Sequence, residues 1–123
     1  MHTVGEGESI LVLEHNPRNR ELLQRCLGDG GYRVLPGDSL DACDLALSDE
    51  SVALVVLDME GFDLALWDIC ERLKERRIPF LLISPHADPR TRGCCRSHGI
   101  CNVLDKPVSM HELLATVAAL LGT

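Results

Sequence analysis

An unbroken apolar run at residues 53–57 constrains the fold of this chain more than any other feature, because it leads directly into Asp58. The run contains only Ala, Leu and Val, and this length and composition predict a β-strand that is buried on both faces. Strands of that kind belong to parallel sheets covered by helices. Open sheets of this type bind ligands at the carboxyl ends of their strands, so Asp58 is a candidate functional residue.

The remaining sequence alternates predicted strands with stretches that have apolar residues at helical spacing. Strands are predicted at residues 10–13, 32–35, 53–57, 79–84 and 101–104. Short crossovers favour right-handed βαβ units and one parallel sheet. We therefore predict an α/β fold, a single-domain doubly wound (βα)5 structure of flavodoxin-like type, whose five-stranded parallel sheet has the order 2-1-3-4-5. Residues 1–8 are predicted to be a flexible lead or linker, and residues 9–123 the domain.

Helix starts are marked by capping residues. Asn16 followed by Pro17 is typical of a helix N-terminus, and Ser109 with Glu112 three residues later matches a capping box. The first helix is predicted to face the core with four apolar residues, which are Leu22, Leu23, Cys26 and Leu27.

Polar side chains follow the other predicted strands as well. Glu14 and His15 come after the first strand, Ser84 ends the fourth, and Lys106 follows the fifth. Because the carboxyl ends of parallel strands meet at one edge, we expect these residues to lie close to Asp58.

Charge and hydropathy exclude several classes of partner. A net charge of −7 and a pI near 5.1 disfavour direct nucleic-acid binding, which needs a basic face. No apolar run reaches the roughly 20 residues of a membrane-spanning helix, and the first residues do not form a secretory signal. We therefore expect a cytoplasmic protein with no membrane association.

The sequence contains six cysteines. In a reducing cytoplasm these are expected to be free thiols, and three of them fall on apolar helix faces. Cys94, Cys95, His98 and Cys101 lie close enough in sequence to raise zinc binding as an alternative. No CxxC pair recurs, however, so the spacing does not favour a zinc site.

Taken together, the acid after strand one, Asp58, Ser84 and the Lys106–Pro107 step resemble the receiver domains of response regulators (CheY-like). The resemblance extends over almost the whole chain, from about residue 9 to residue 121. It implies that Asp58 accepts a phosphoryl group from a histidine kinase or phosphotransfer protein, assisted by Lys106 and Ser84. It also implies Mg²⁺ bound by Glu14, Asp58 and the backbone carbonyl of Glu60.

The sequence departs from the family at three places. The family has two consecutive acids where this chain has Glu14 and His15, and imidazole is a poorer Mg²⁺ ligand than carboxylate. The loop after Asp58 is shorter than the family pattern by about two residues and lacks its proline. Val103 occupies a switch position that is usually Tyr or Phe, and valine has no ring to reorient. These departures predict weakened Mg²⁺ dependence and an altered output.

Three functions are therefore considered. The first is a two-component phosphorelay receiver, which is a phosphoacceptor domain and at most catalyses its own phosphorylation and dephosphorylation. Its expected partners are a kinase or phosphotransfer protein, a covalently linked kinase or output domain, or a second copy in a homodimer. The second is a pseudo-receiver that acts as a phosphorylation-independent interaction module. The third, a flavin or small-molecule binder, is disfavoured because no Ser/Thr/Gly-rich phosphate loop follows strand one. Residues 14–17 stand there instead and would repel a phosphate unless a metal intervened.

Overall fold

The computed structural model describes residues 9–48, 51–62, 65–85, 89–96 and 101–122. The elements in chain order are β1 (Ser9–Leu13), α1 (Pro17–Asp29), β2 (Val34–Gly37), α2 (Leu40–Ser48), β3 (Val52–Asp58), α3 (Leu66–Glu75), β4 (Phe80–Ser84), α4 (Pro89–Arg96), β5 (Cys101–Asp105) and α5 (Met110–Leu121). The five strands form one parallel sheet in the order β2-β1-β3-β4-β5, as predicted.

The apolar run that leads into Asp58 lies in the middle of the sheet, on strand β3. Its residues from Leu54 to Leu57 are fully buried, because β1 and β4 flank the strand and helices cover both faces. One apolar layer joins the sheet to α2 and α3, and includes Cys43, Ile69 and Leu73. The other layer joins the sheet to α1 and α5, and includes Leu27 and Val117.

Polar side chains cap the N-termini of three helices. Asn16 accepts a hydrogen bond from the backbone N–H of Asn19 at 3.1 Å, and Ser109 accepts one from Glu112 at 3.0 Å. At α2 the hydroxyl of Ser39 accepts a hydrogen bond from the backbone N–H of Ala42 at 3.1 Å. Each contact satisfies a donor that the first helical turn leaves without an internal partner.

Two sequence predictions about these elements were wrong. Strand β2 spans Val34–Gly37, two residues later than predicted, and it includes Pro36. Proline is tolerated there because β2 pairs only with β1, at the edge of the sheet. Leu22 was predicted to face the core, but 55% of its surface is exposed. It lies on the flank of α1, where the buried residues are Cys26 and Leu27.

The described cysteine side chains are in two chemical states. Cys26, Cys43 and Cys70 are buried free thiols, as expected from their helix faces. Burial raises the pKa of Cys43 to about 12, so this thiol stays protonated and acts as a small apolar residue. Cys101 is disulfide-bonded, which contradicts the expectation of free thiols throughout. The side chains of Cys94, Cys95 and His98 lie outside the described residues, so the zinc alternative is not tested there.

None of the helices, over the residues that are described, is long and apolar enough to cross a bilayer.

Candidate functional site

The residues singled out at the strand ends meet at the carboxyl edge of the sheet. Glu14 follows β1, Asp58 ends β3 and Ser84 ends β4, and all three are buried, with 1%, 2% and 5% of their surfaces exposed. Lys106 follows β5, and its backbone N–H donates to the carbonyl of Ser84 at 2.8 Å. Parallel pairing of β3, β4 and β5 therefore gathers these residues at one edge, as the sequence predicted.

Both carboxylate oxygens of Asp58 have partners. Oδ1 accepts a hydrogen bond from the backbone N–H of Glu60 at 3.0 Å, which closes a short turn after β3. Oδ2 lies 2.7 Å from the Lys106 Nζ. Because Asp58 is almost fully buried, this ion pair is shielded from solvent on the carboxylate side, and the lysine offsets the cost of burying the charge.

Lys106 contacts a second carboxylate. Its Nζ also lies 2.7 Å from Glu60 Oε2, so one ammonium bridges Asp58 and Glu60. Partial burial alone would lower the pKa of Lys106, but the hydrogen bonds to Asp58 and Glu60 outweigh it and raise that pKa. Lys106 is therefore a cation at neutral pH.

Glu14 is held by its main chain and by one of its two oxygens. The backbone N–H of Asn16 donates to Oε1 at 3.1 Å, and Arg20 donates to the Glu14 carbonyl at 2.8 Å. Oε2 is buried and has no hydrogen-bond partner within the described part of the chain. Burial, and then the neighbouring Asp58 carboxyl group, raise the pKa of Glu14 to about 8.

A hard divalent cation fits this donor set. The unpartnered Oε2 of Glu14 and the Asp58 carboxylate are oxygen ligands beside each other, and cation binding would relieve their repulsion. No cluster of three or more His, Cys, Asp or Glu side chains suited to a metal ion occurs among the described residues. Two carboxylates are nevertheless sufficient for Mg²⁺, which keeps several water ligands in most protein sites.

His15 packs against the turn that follows β3. Its ring packs edge-on against Phe62, with centroids 6.3 Å apart and the planes at 73°. It also lies against Gly61, where an added Cβ would come within 2.9 Å of the Cβ and Cγ atoms of His15, and where φ is +86°. His15 thus supports the turn after β3, and glycine suits that turn both for its backbone angle and for this contact.

Val103 lies in β5, is partly buried and packs against the core layer under α2 and α3. It pairs in register with Leu82, two residues before Ser84. A branched aliphatic side chain has no aromatic plane to swing between inward and outward positions. Val103 therefore differs in side-chain shape, as well as in residue type, from the Tyr or Phe that the family usually has here.

A cavity of about 510 Å³ opens over the buried acids, and sequence reasoning missed most of its walls. Glu14, Asp58 and Lys106 form its polar end, while Leu22, Leu23, Ile83, Pro85, Pro107 and Val108 supply the apolar walls. A second hollow of about 420 Å³ between α1 and α5 shares Leu22, Leu23 and Val108 with the first. We call the two together the α1–α5 groove. The sequence carries no signal for this groove, because Leu22, Leu23, Cys26 and Leu27 fit a single helical apolar face.

Comparison with known proteins matches this geometry to one family. The family model of the response regulator receiver domain matches residues 10–118. The chain is 31% identical over 120 residues to the transcriptional regulatory protein GltR of Pseudomonas aeruginosa, covering 94% of this chain and 49% of that protein. It is 34% identical over 115 residues to the response regulator MprA of Mycobacterium avium, covering 91% of this chain and 50% of that protein. The chain thus spans about half the length of these relatives.

Solved structures give the same fold. Chemotaxis protein CheY4 of Vibrio cholerae superimposes with a TM-score of 0.80 at 16% identity, covering 93% of this chain and 98% of that one. A response regulator receiver domain protein from Clostridium thermocellum gives 0.82 at 20% identity, covering 94% of each chain. With the sheet order, the buried acids and the family match in agreement, this chain belongs to the response regulator receiver domains of two-component signalling systems.

Proposed function

We propose that this domain is a phosphoacceptor, and that Asp58 receives a phosphoryl group from a phosphohistidine of a partner kinase or phosphotransfer protein. The observation that carries the proposal is the buried Asp58–Lys106 pair at the head of an open cavity. A buried carboxylate with a cation beside it is a nucleophile with charge stabilisation already in place. We place the reaction in the cytoplasm, where such partners act.

The proposed transfer forms one bond and breaks one. A lone pair of an Asp58 carboxylate oxygen attacks phosphorus, and the P–N bond to the donor imidazole breaks. The bonding electrons stay on that nitrogen, which then holds a neutral imidazole lone pair or takes up a proton from solvent. The product is an acyl phosphate on Asp58. Lys106 stabilises the charge that spreads over the phosphoryl oxygens, and the Ser84 hydroxyl is assigned as a hydrogen-bond donor to one of them.

Glu14, Asp58 and the backbone carbonyl of Glu60 are the residues that would hold Mg²⁺, which when bound neutralises phosphoryl oxygens. Glu14 contributes the oxygen that has no hydrogen-bond partner among the described residues. His15 is turned toward Phe62 and is assigned no ligand role. We therefore expect one protein carboxylate fewer than in receivers with an acid pair, and correspondingly weak Mg²⁺ binding.

The partner is proposed to dock in the α1–α5 groove. Leu22 and Met110 expose 55% and 59% of their surfaces beside it, and its apolar walls lead directly to Asp58. An apolar helical surface carrying the donor histidine would bury these side chains and bring its phosphorus to the open end of the cavity. The half-length match to regulators supports a linked output domain in a longer protein.

Incubation with phosphoramidate and Mg²⁺, followed by intact mass measurement, tests the proposal. The wild type is expected to gain one phosphoryl group, and Asp58→Asn none. Asp68→Asn is a matched control, since Asp68 is an exposed acid on α3 and should leave the gain unchanged. A wild type that stays folded and gains no phosphoryl group would contradict the proposal.

That negative result would favour the second candidate, a pseudo-receiver that binds its partner without phosphorylation. The specific observation in its favour is that His15, which packs against Phe62, follows Glu14 in place of a second acid. Val103 in the switch position supports it further. The two functions differ in whether Asp58→Asn changes partner binding after treatment with a phosphodonor.

A further inference from the structure

Glu60 contacts both partners of the buried ion pair, Asp58 and Lys106. Its backbone N–H donates to Asp58 Oδ1 at 3.0 Å, while its side chain reaches Lys106 Nζ at 2.7 Å. The same residue therefore fixes both the orientation of the acceptor carboxylate and the position of the ammonium. The left-handed turn at Gly61, packed against His15, anchors the backbone that follows.

The charges at this edge are unbalanced. Glu14, Asp58 and Glu60 are three acidic side chains, and Lys106 is the cation that contacts two of them. An ammonium has three N–H donors, and Asp58 and Glu60 each engage one. An incoming phosphoryl group needs the same ammonium, and it brings negative charge close to the Glu60 carboxylate.

We propose that Glu60 is a positioning residue that competes with the phosphoryl group for Lys106 and so slows phosphorylation of Asp58. This inference rests on the proposed function of the site. Glu60 acts as an internal anion: in the resting state it engages one of the Lys106 N–H donors that the phosphoryl oxygens would otherwise use. More than half of its side chain, 57%, is exposed, so it can swing into solvent when the donor arrives.

Neutralising Glu60 should therefore speed the reaction. For Glu60→Gln we expect the second-order rate constant with phosphoramidate to rise on the order of two- to fivefold, the range that corresponds to a partly exposed ion pair. The gain should shrink as salt concentration rises, because salt screens exposed charges. Glu71→Gln is the matched control: it removes another exposed glutamate–lysine contact, to Lys74 at 3.3 Å on α3, and should leave the rate unchanged.

A double-mutant cycle tests whether Glu60 acts through Lys106. In a Lys106→Met background, Glu60→Gln should no longer accelerate phosphorylation, even though the rate itself is low. An equal acceleration in both backgrounds would mean that Glu60 acts by general repulsion, and would overturn the competition for Lys106. So would a Glu60→Gln rate equal to that of the wild type.

A second readout does not depend on phosphoryl transfer. In metal-free protein, the NMR signals of the Lys106 ε-methylene should move and sharpen in Glu60→Gln, because one of two tethers is gone, and should stay in place in Glu71→Gln. Unchanged signals in Glu60→Gln would overturn the inference even if Asp58 is phosphorylated. If the signals move but no variant gains a phosphoryl group, Glu60 does hold Lys106, and it is the proposed function of the site that fails.

Discussion

At the scale of single residues, Glu14 has the most unusual environment in the domain. It is buried, one of its oxygens lacks a hydrogen-bond partner among the described residues, and its pKa is raised to about 8. Such a carboxyl group is destabilising when ionised unless a cation joins it. The site therefore favours an additional cation beside Glu14. Lys106 does not fill this role, because it contacts Asp58 and Glu60.

This environment predicts a pH dependence of stability in metal-free buffer. Below pH 4.5, the ordinary pKa of a glutamate, Glu14 is protonated in both the folded and the unfolded protein. Between pH 4.5 and about pH 8, Glu14 loses its proton only in the unfolded chain. The free energy of unfolding should therefore fall as pH rises through this window. Glu14→Gln cannot ionise, so at pH 8 it should be more stable than the wild type by at least about 1 kcal/mol, since one pKa unit corresponds to about 1.4 kcal/mol.

Urea denaturation at pH 5 and pH 8 measures this difference directly. Glu112→Gln is a suitable control because Glu112 lies exposed on α5. Parallel pH profiles for the wild type and Glu14→Gln would show that Glu14 ionises as an ordinary glutamate.

The metal site makes a second prediction at the residue scale. His15→Asp places a carboxylate after Glu14, as in receivers with an acid pair, and should tighten Mg²⁺ binding at least roughly tenfold, since even indirect partners of metal ligands act on that scale. Magnesium-dependent phosphorylation of Asp58 should rise with it. Glu14→Ala should weaken Mg²⁺ binding relative to the wild type.

Calorimetric titration with Mg²⁺ distinguishes these variants. Tight binding to the wild type that neither Glu14→Ala nor His15→Asp alters would show that the cation binds elsewhere. If His15→Asp leaves both Mg²⁺ affinity and phosphorylation unchanged, the short loop after β3 is the dominant defect.

At the scale of elements, helix α1 shows that the spacing of apolar residues does not reveal which of them are buried. Leu22, Leu23, Cys26 and Leu27 all fit a helical apolar face, yet Leu22 is exposed and Leu27 is fully buried. Spacing alone cannot separate them, because which flank is covered depends on how α5 packs beside α1. The exposed flank, which carries Leu22, forms a wall of the α1–α5 groove.

Matched substitutions on α1 test this division. Leu27→Ala should cost about 2 to 5 kcal/mol of stability, the usual range for a buried leucine. Leu22→Ala should change stability by no more than about 0.5 kcal/mol, as exposed positions do. Chemical denaturation of the two variants under one set of conditions checks both values. Equal losses would mean that Leu22 is packed as tightly as Leu27.

At the scale of the whole molecule, the strand order and the position of the site were predictable from the sequence. Buried apolar runs that alternate with helices leave few topologies, and the carboxyl ends of the strands must then meet, which brought Glu14, Asp58 and Lys106 together. The direction of His15 and the Glu60–Lys106 contact were not predictable. Both depend on rotamers and on a turn at Gly61, which local patterns do not determine.

Chemical trapping can show whether Asp58 itself accepts the phosphoryl group. After treatment with phosphoramidate and Mg²⁺, borohydride reduces an aspartyl phosphate to homoserine, which tandem mass spectrometry can locate. We predict homoserine at position 58 in the wild type, dependent on the phosphodonor, with more of it at equal times in Glu60→Gln. Homoserine at another aspartate, or none at position 58 in folded protein, would show that Asp58 is not the phosphoacceptor.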